Sequence, residues 1–192
     1  LGGHPCGDEA SAIAVDALLA SRPATGAELV AAVAAANAAM YEAMDANTGN
    51  LGMGSTIAAL LIREDGIAVA NVGDSPVFEV GDGRLHQLSV DDVPVAGGLD
   101  LPGLRSSIVT QTLGGRMQYA GIDVHFHEDD LPPPRRLLLC TDGLSSHVPR
   151  RDIAEVLLRC ATPAEAAEAL LAEALGSGGD DNVTIVVVDV RS

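Results

Sequence analysis

The chain has 192 residues, 47% of them apolar and 2% aromatic, with a formal charge of −16 at pH 7. That length and apolar content suffice for one sizeable core, no Ser/Gly/Pro-rich linker divides it, and residues 1–192 read as a single domain. The negative charge disfavours nucleic acid and anionic membrane surfaces as partners, and favours divalent cations and cationic segments of proteins.

The opening Leu1-Gly2-Gly3-His4-Pro5 lacks the charged and apolar regions of a secretory leader. No run reaches the ~18 apolar residues that would span a bilayer, so no membrane insertion is expected within this chain. Two helices follow. Asp8–Ala20 sets Ile13, Ala17 and Leu18 along one side, and Glu28–Ala46 sets Leu29, Val33, Ala36, Met40 and Met44 at helical steps. After Gly49 the period shortens to strands at Thr56–Ile62, Ile67–Val72, Val77–Val80 and Leu85–Leu88, with Asp65-Gly66 and Asp82-Gly83 as turns. From Asp91 to Gly121 the chain is rich in Gly and Pro and reads as a loop-rich flap over a site, with a short helix near Ser107–Leu113. Strands at Ile122–His127 and Leu137–Cys140 come next, separated by Pro132-Pro133-Pro134. Helices at Arg150–Cys160 and Ala164–Leu175 follow, the second opened by Thr162-Pro163-Ala164-Glu165, which supplies an N-cap, an N1 proline and a capping-box glutamate. A strand at Val183–Val190 closes the chain. Helices, a run of strands, more helices and a last strand make an α+β layered domain with mainly antiparallel sheets.

Three cysteines, Cys6, Cys140 and Cys160, are odd in number and widely spaced, which fits reduced thiols and a cytoplasmic setting. All 11 basic residues are arginine, so no P-loop, kinase or Schiff-base lysine exists within the chain. A cysteine phosphatase needs Arg six positions after its Cys, where this chain has Ala12, Ser146 and Ala166. Gly73-Asp74-Ser75 could hold an esterase serine, but the Asp and His partners of a triad are missing. His125 and His127 share a strand face, and without a third ligand a packed or solvent-facing role is expected.

The acidic residues carry more. Asp142 leaves the apolar run Leu137-Leu138-Leu139-Cys140, and Asp180-Asp181 precedes the β-branched run Val183–Val188. Strand ends fix carboxylates while leaving them open to a cleft, where hard divalent cations collect oxygen ligands. Taken alone, Asp142 could equally cap the following segment, and Asp181 could form an Asx-turn. Together they suggest a metal-dependent hydrolase.

As a set the motifs carry a resemblance. Gly2-Gly3-His4-Pro5-Cys6-Gly7-Asp8, Gly52-Met53-Gly54-Ser55-Thr56, Val72-Gly73-Asp74-Ser75, Leu88-Ser89-Val90-Asp91-Asp92, Val109-Thr110-Gln111-Thr112-Leu113-Gly114, Leu139-Cys140-Thr141-Asp142-Gly143-Leu144 and Asp181-Asn182-Val183-Thr184 follow in the order of bacterial PP2C-type (PPM) serine/threonine phosphatases. The resemblance implies a four-layer αββα sandwich of two mainly antiparallel β-sheets flanked by helices. It implies two Mg²⁺ or Mn²⁺ ions, with Asp142 and Asp181 as ligands and Asp91 serving a weaker third ion; Asp180 lies one residue off the motif. It implies hydrolysis of phosphoserine and phosphothreonine in proteins by direct attack of a metal-bridging water, opposite a Ser/Thr kinase. No side-chain nucleophile is implied, and Asp74 is expected to be structural.

Two departures stand out. Pro76 occupies a position where relatives carry arginine. The family's Asp-Gly metal motif and its phosphate-binding arginine belong upstream of Leu1, so the fold is expected to be N-terminally incomplete and the substrate-binding residues stay unknown. The sequence is then either part of a longer phosphatase, the favoured reading, or a catalytically impaired PP2C-like module that binds a partner.

Overall fold

The computed structural model describes residues 6–94, 108–130, 135–179 and 181–191. Helix α1 (Gly7–Ser21) turns at Arg22, which takes left-handed backbone, into α2 (Gly26–Ala46). Thr25 caps α2 by accepting from the Glu28 amide, while the Glu28 carboxylate accepts from Ala24. The strands are β1 (Gly54–Ser55), β2 (Ile57–Ile62), β3 (Ile67–Val72), β4 (Val77–Gly81), β5 (Arg84–Gln87), β6 (Leu113–Gly114), β7 (His125–Asp129), β8 (Arg135–Cys140) and, after the helices, β9 (Ile185–Val190). Between β8 and β9 lie the single turn α3 (Asp142–Ser145), α4 (Arg150–Arg159) and α5 (Pro163–Gly176). The capping box at Thr162 and Glu165 forms as expected.

Every pairing is antiparallel: one sheet runs β2-β3-β7, the other β5-β4-β8-β9, and β1 pairs with β6 as a short ribbon. Side-chain alternation assigns the faces. On β3, Ala68, Ala70 and Val72 pack with Leu29, Val33, Met40 and Met44 of α2, while Ile67, Val69 and Asn71 face the other way. On β8, Leu138 and Cys140 pack with Ile153, Leu157 and Leu170 of α4 and α5, while Arg135 and Leu137 face the other way. The two sheets therefore stack face to face between two helical layers, the αββα sandwich. Arg135 links them, bonding Glu79 of its own sheet at 2.7 and 2.8 Å and Asp129 of the other at 2.6 Å.

Three elements differ from expectation. Residues 108–113 are not helical; Leu113–Gly114 instead pairs with Gly54–Ser55. The β-branched Val109, Thr110 and Thr112 resist helix, and Gly114 and Gly115 adopt φ of 64° and 72°. A Cβ at Gly114 would stand 2.6 Å from the Met53 carbonyl oxygen. The strand expected at Ile122–His127 begins only at His125, whose pairing with Asn71 is the last between it and β3. The Asp123 amide is bonded by the Gln111 side chain instead. The closing strand begins at Ile185, the preceding residues being used to build a loop. Part of the expected flap, residues 95–107, lies outside the described residues, as do His4, Asp180 and Pro132-Pro133-Pro134.

Candidate metal centre at the rim of the sandwich

The ends of β3, β8 and the start of β9 meet at one rim of the sandwich. Beyond the last β8–β9 pair, Cys140 with Ile185, the two chains stay stitched: the Thr141 amide donates to the Thr184 carbonyl, the Thr184 amide to Thr141 Oγ1, and that hydroxyl to the Asn182 carbonyl. Thr141 occupies the N-cap position of α3 without capping it, so Asp142 is the first residue of the turn and not its cap. The Asp142 carboxylate accepts no hydrogen bond among the described residues. Among the described residues Asp181 accepts only from the next amide, that of Asn182, at 2.7 Å.

Gly143 makes this juxtaposition possible. A Cβ there would lie 2.3 Å from the Asn182 carbonyl oxygen, a backbone atom that cannot rotate away. Gly143→Ala is expected to push the α3 turn off the 181–183 loop, lowering stability by about 1–3 kcal/mol and altering the spacing of Asp142 and Asp181. Urea unfolding together with a Mn²⁺-binding titration would measure both.

Asp91 and Asp92 arrive from the chain leaving β5, and they divide their tasks. Asp92 is saturated: it accepts from the Gly73 amide at 2.8 Å and from Gln111 Nε2 at 3.0 Å, and pairs with His125 Nε2 at 2.8 Å. His125 is thus packed and hydrogen-bonded, as expected, though its partner was not foreseen. Asp91 accepts from Gln87 Nε2 at 2.7 Å. Gly73 adopts φ 102°, and a Cβ there would meet Thr56 at 2.3 Å, so only glycine lets the turn after β3 close against the neighbouring chain. Ser75 is paired with Thr56 Oγ1 at 2.9 Å rather than with a base, and Pro76 contributes its carbonyl to the Cys140 amide.

Electrostatics draws these positions together. Burial pushes the Asp74 carboxyl above its ordinary value, and repulsion from Asp142, Asp91 and Asp181 adds to it. Burial likewise pushes the Cys140 thiol up to about 12, with Asp91 and Asp142 adding, so this thiol is inert at neutral pH. Four carboxylates from four strand ends therefore share one rim. Asp74, expected to be structural, belongs electrostatically with the other three; its position after a strand end, like that of Asp142, was the available signal.

The donors are carboxylate oxygens throughout, the chemistry that suits Mg²⁺ and Mn²⁺ rather than zinc, and a divalent cation would relieve the repulsion at Asp74. Among the described residues no three Asp, Glu, His or Cys side chains are gathered closely enough to enclose an ion by themselves. Beside the rim, Thr110, Gln111, Thr112 and Arg116 wall a polar cavity of about 210 Å³, joined to the acidic site through the Gln111–Asp92 bond.

The sequence matches the protein phosphatase 2C family over residues 1–176. It is 32% identical over 204 residues to the serine/threonine protein phosphatase PstP of Mycobacterium tuberculosis, covering 99% of this chain and 39% of that protein. It therefore spans well under half the length of that relative. It is 28% identical over 211 residues to the serine/threonine phosphatase stp of Listeria monocytogenes, covering 98% of this chain and 81% of the relative. The structure superposes on the catalytic domain of PstP, solved in complex with two manganese ions, with a TM-score of 0.87 at 32% identity, covering all of this chain and 85% of that one.

Proposed function

This chain belongs to the protein phosphatase 2C family, and on that premise we propose that the protein is a Mn²⁺- or Mg²⁺-dependent phosphatase acting on phosphoserine and phosphothreonine of proteins. The observation that carries the proposal is the convergence of Asp74, Asp91, Asp142 and Asp181 on one rim, with burial and mutual repulsion holding Asp74 above its usual range. Asp142 and Asp181 are the ligands of the catalytic ions in this reading, and Asp91 serves a weaker third ion.

Phosphomonoesters hydrolyse extremely slowly in water, because a poor nucleophile must reach a dianion. A bound pair of divalent cations supplies a nucleophile at neutral pH and screens the phosphate charge. The chain's own residues do the positioning. The Thr141–Thr184 stitching and the tight seat of Gly143 hold Asp142 and Asp181 in a fixed relation, while Asp92 anchors the loop that presents Asp91. With the rim this acidic, a phosphate group would be repelled unless cations were in place, which makes turnover strictly dependent on them. The polar cavity beside Gln111 gives a polypeptide segment a surface next to the reacting group. Phosphorylated proteins are then the substrates and a Ser/Thr kinase the opposing enzyme. A cytoplasmic setting accords with the reduced state of Cys140 and Cys160. Among the described residues no helix is long and apolar enough to cross a membrane.

The test is hydrolysis of p-nitrophenyl phosphate and of a phosphothreonine peptide by the full-length protein with Mn²⁺, Mg²⁺ or EDTA. Turnover that appears with Mn²⁺ and vanishes with EDTA is the expected result. No turnover under any of these conditions would overturn the proposal and favour a PP2C-like binding module.

A further inference from the structure

We propose that Gln87, locked in one orientation by Arg150, is the positioning residue for Asp91 and sets the affinity of the cation that Asp91 serves. The inference rests on the reading of Asp91 as a ligand given above. Gln87 is the last residue of β5, and its amide is engaged at both ends: Oε1 accepts from Arg150 Nη2 at 2.5 Å, and Nε2 donates to Asp91 Oδ1 at 2.7 Å. A weaker contact from the same nitrogen reaches Ser89 Oγ at 3.4 Å.

Arginine can only donate and an ionised carboxylate can only accept, so the amide has one permitted orientation between them. Were it to flip, its NH₂ group would face the guanidinium and its oxygen would face the carboxylate, losing both bonds to repulsion. Arg150 is itself held. It is the first residue of α4, and its guanidinium stacks over the ring of the fully buried Phe78 at 5.2 Å. The relay thus runs from a helix and an aromatic core residue, through one amide, to one oxygen of a carboxylate. Tying that oxygen restricts rotation of the Asp91 side chain and aims its carboxylate, a condition for ligating a divalent cation. Hydrogen bonds of this kind behind a ligand orient it, and their loss typically weakens metal binding by 10–100-fold.

The test reads Mn²⁺ binding directly, by calorimetric titration and by counting bound ions with electron paramagnetic resonance on the full-length protein, alongside thermal unfolding without metal. Gln87→Met is expected to weaken the weakest Mn²⁺ site about tenfold and leave the tighter sites unchanged. Arg150→Met, which keeps an apolar stem against Phe78, is expected to shift the same site in the same direction by less, and the double variant to be no weaker than Gln87→Met alone. If both variants lower the metal-free melting temperature while the Mn²⁺ isotherm stays as in the parent, Gln87 merely ties β5 to α4 and the proposal fails. Additive losses in the double variant would also overturn it, since Arg150 would then not act through Gln87. Asp91→Asn separates the two levels. Loss of one Mn²⁺ there with an unchanged isotherm in Gln87→Met overturns the relay alone, whereas no effect in Asp91→Asn overturns the ligand reading and the relay with it.

Discussion

Asp142→Asn is expected to lower phosphatase turnover of the full-length protein by about a thousandfold or more, the equivalent of ~4 kcal/mol of transition-state stabilisation, while leaving the fold intact. The two halves of this expectation have separate causes. Asparagine keeps the shape of the side chain but offers one neutral oxygen where a ligand to a divalent cation needs a charged one. The fold should not notice the change, because the Asp142 carboxylate accepts no hydrogen bond among the described residues and stands in repulsion with Asp74. Removing its charge breaks no protein contact and relieves a strained neighbour, so the metal-free melting temperature should hold or rise. Added Mn²⁺ should raise the melting temperature of the parent protein, by stabilising the native state that binds it, and should raise that of Asp142→Asn much less. Asp181→Asn should lose turnover in the same way. Full activity in either variant would sink the ligand assignment.

Arg136→Met is expected to have the largest effect on stability, a loss of about 3–5 kcal/mol, the range for removing one partner of a buried ion pair. The guanidinium bonds both oxygens of Asp189 on β9, at 2.6 and 2.9 Å, and reaches the carbonyls of Leu157 and Cys160 at the end of α4, at 2.5 and 2.7 Å. One side chain therefore joins β8, β9 and the C-terminus of a helix, with both partners about 15% exposed. Truncation leaves Asp189 charged with only the exposed Arg191, 3.6 Å away, beside it and frees the helix carbonyls. Replacing Asp189→Leu together with Arg136→Met should recover part of the loss, because no buried charge then remains. The pH dependence has a definite sign. Hydrogen bonding to Arg136 holds the Asp189 carboxyl below its usual range. This stabilisation is fully present above the ordinary carboxylate pKa of about 3.9 and is lost as pH falls through the lower folded-state value. Urea unfolding of the parent protein should weaken from about pH 4 downward, and the Arg136→Met variant should show a shallower decline over the same window.

Much of this molecule was legible in the order of its residues. Helical periodicity located α1, α2, α4 and α5, and alternation bounded by Asp-Gly turns located β2 to β5, because those signals are local and the tertiary structure had no cause to override them. Asp142 and Asp181 could be singled out because one follows and the other precedes an apolar strand, Asp91 only through the resemblance, and the motif order matched a family whose model covers residues 1–176. Where reading failed, the deciding partner was distant in sequence. A short helix was expected near residues 107–113, and the approach of Gly54–Ser55 instead makes Leu113–Gly114 a strand. The strand at β7 starts late, with the Asp123 amide bonded to the Gln111 side chain, a partner that cannot be seen within 122–127. Asp74 was expected to be structural, and its electrostatic reach to three other carboxylates exists only in the folded chain.

Composition, charge and spacing by themselves determined an acidic α+β fold with carboxylates at its strand ends, since hydrophobic periodicity and turn chemistry act over a few residues. Tertiary structure alone decided which carboxylate does what. Asp91 and Asp92 are adjacent and identical in type, yet Asp92 is consumed by Gly73, Gln111 and His125 while Asp91 is turned by Gln87 and Arg150. That division depends on hydrogen bonds between groups up to 63 residues apart, which exist only once the two sheets and their helices have closed on one another.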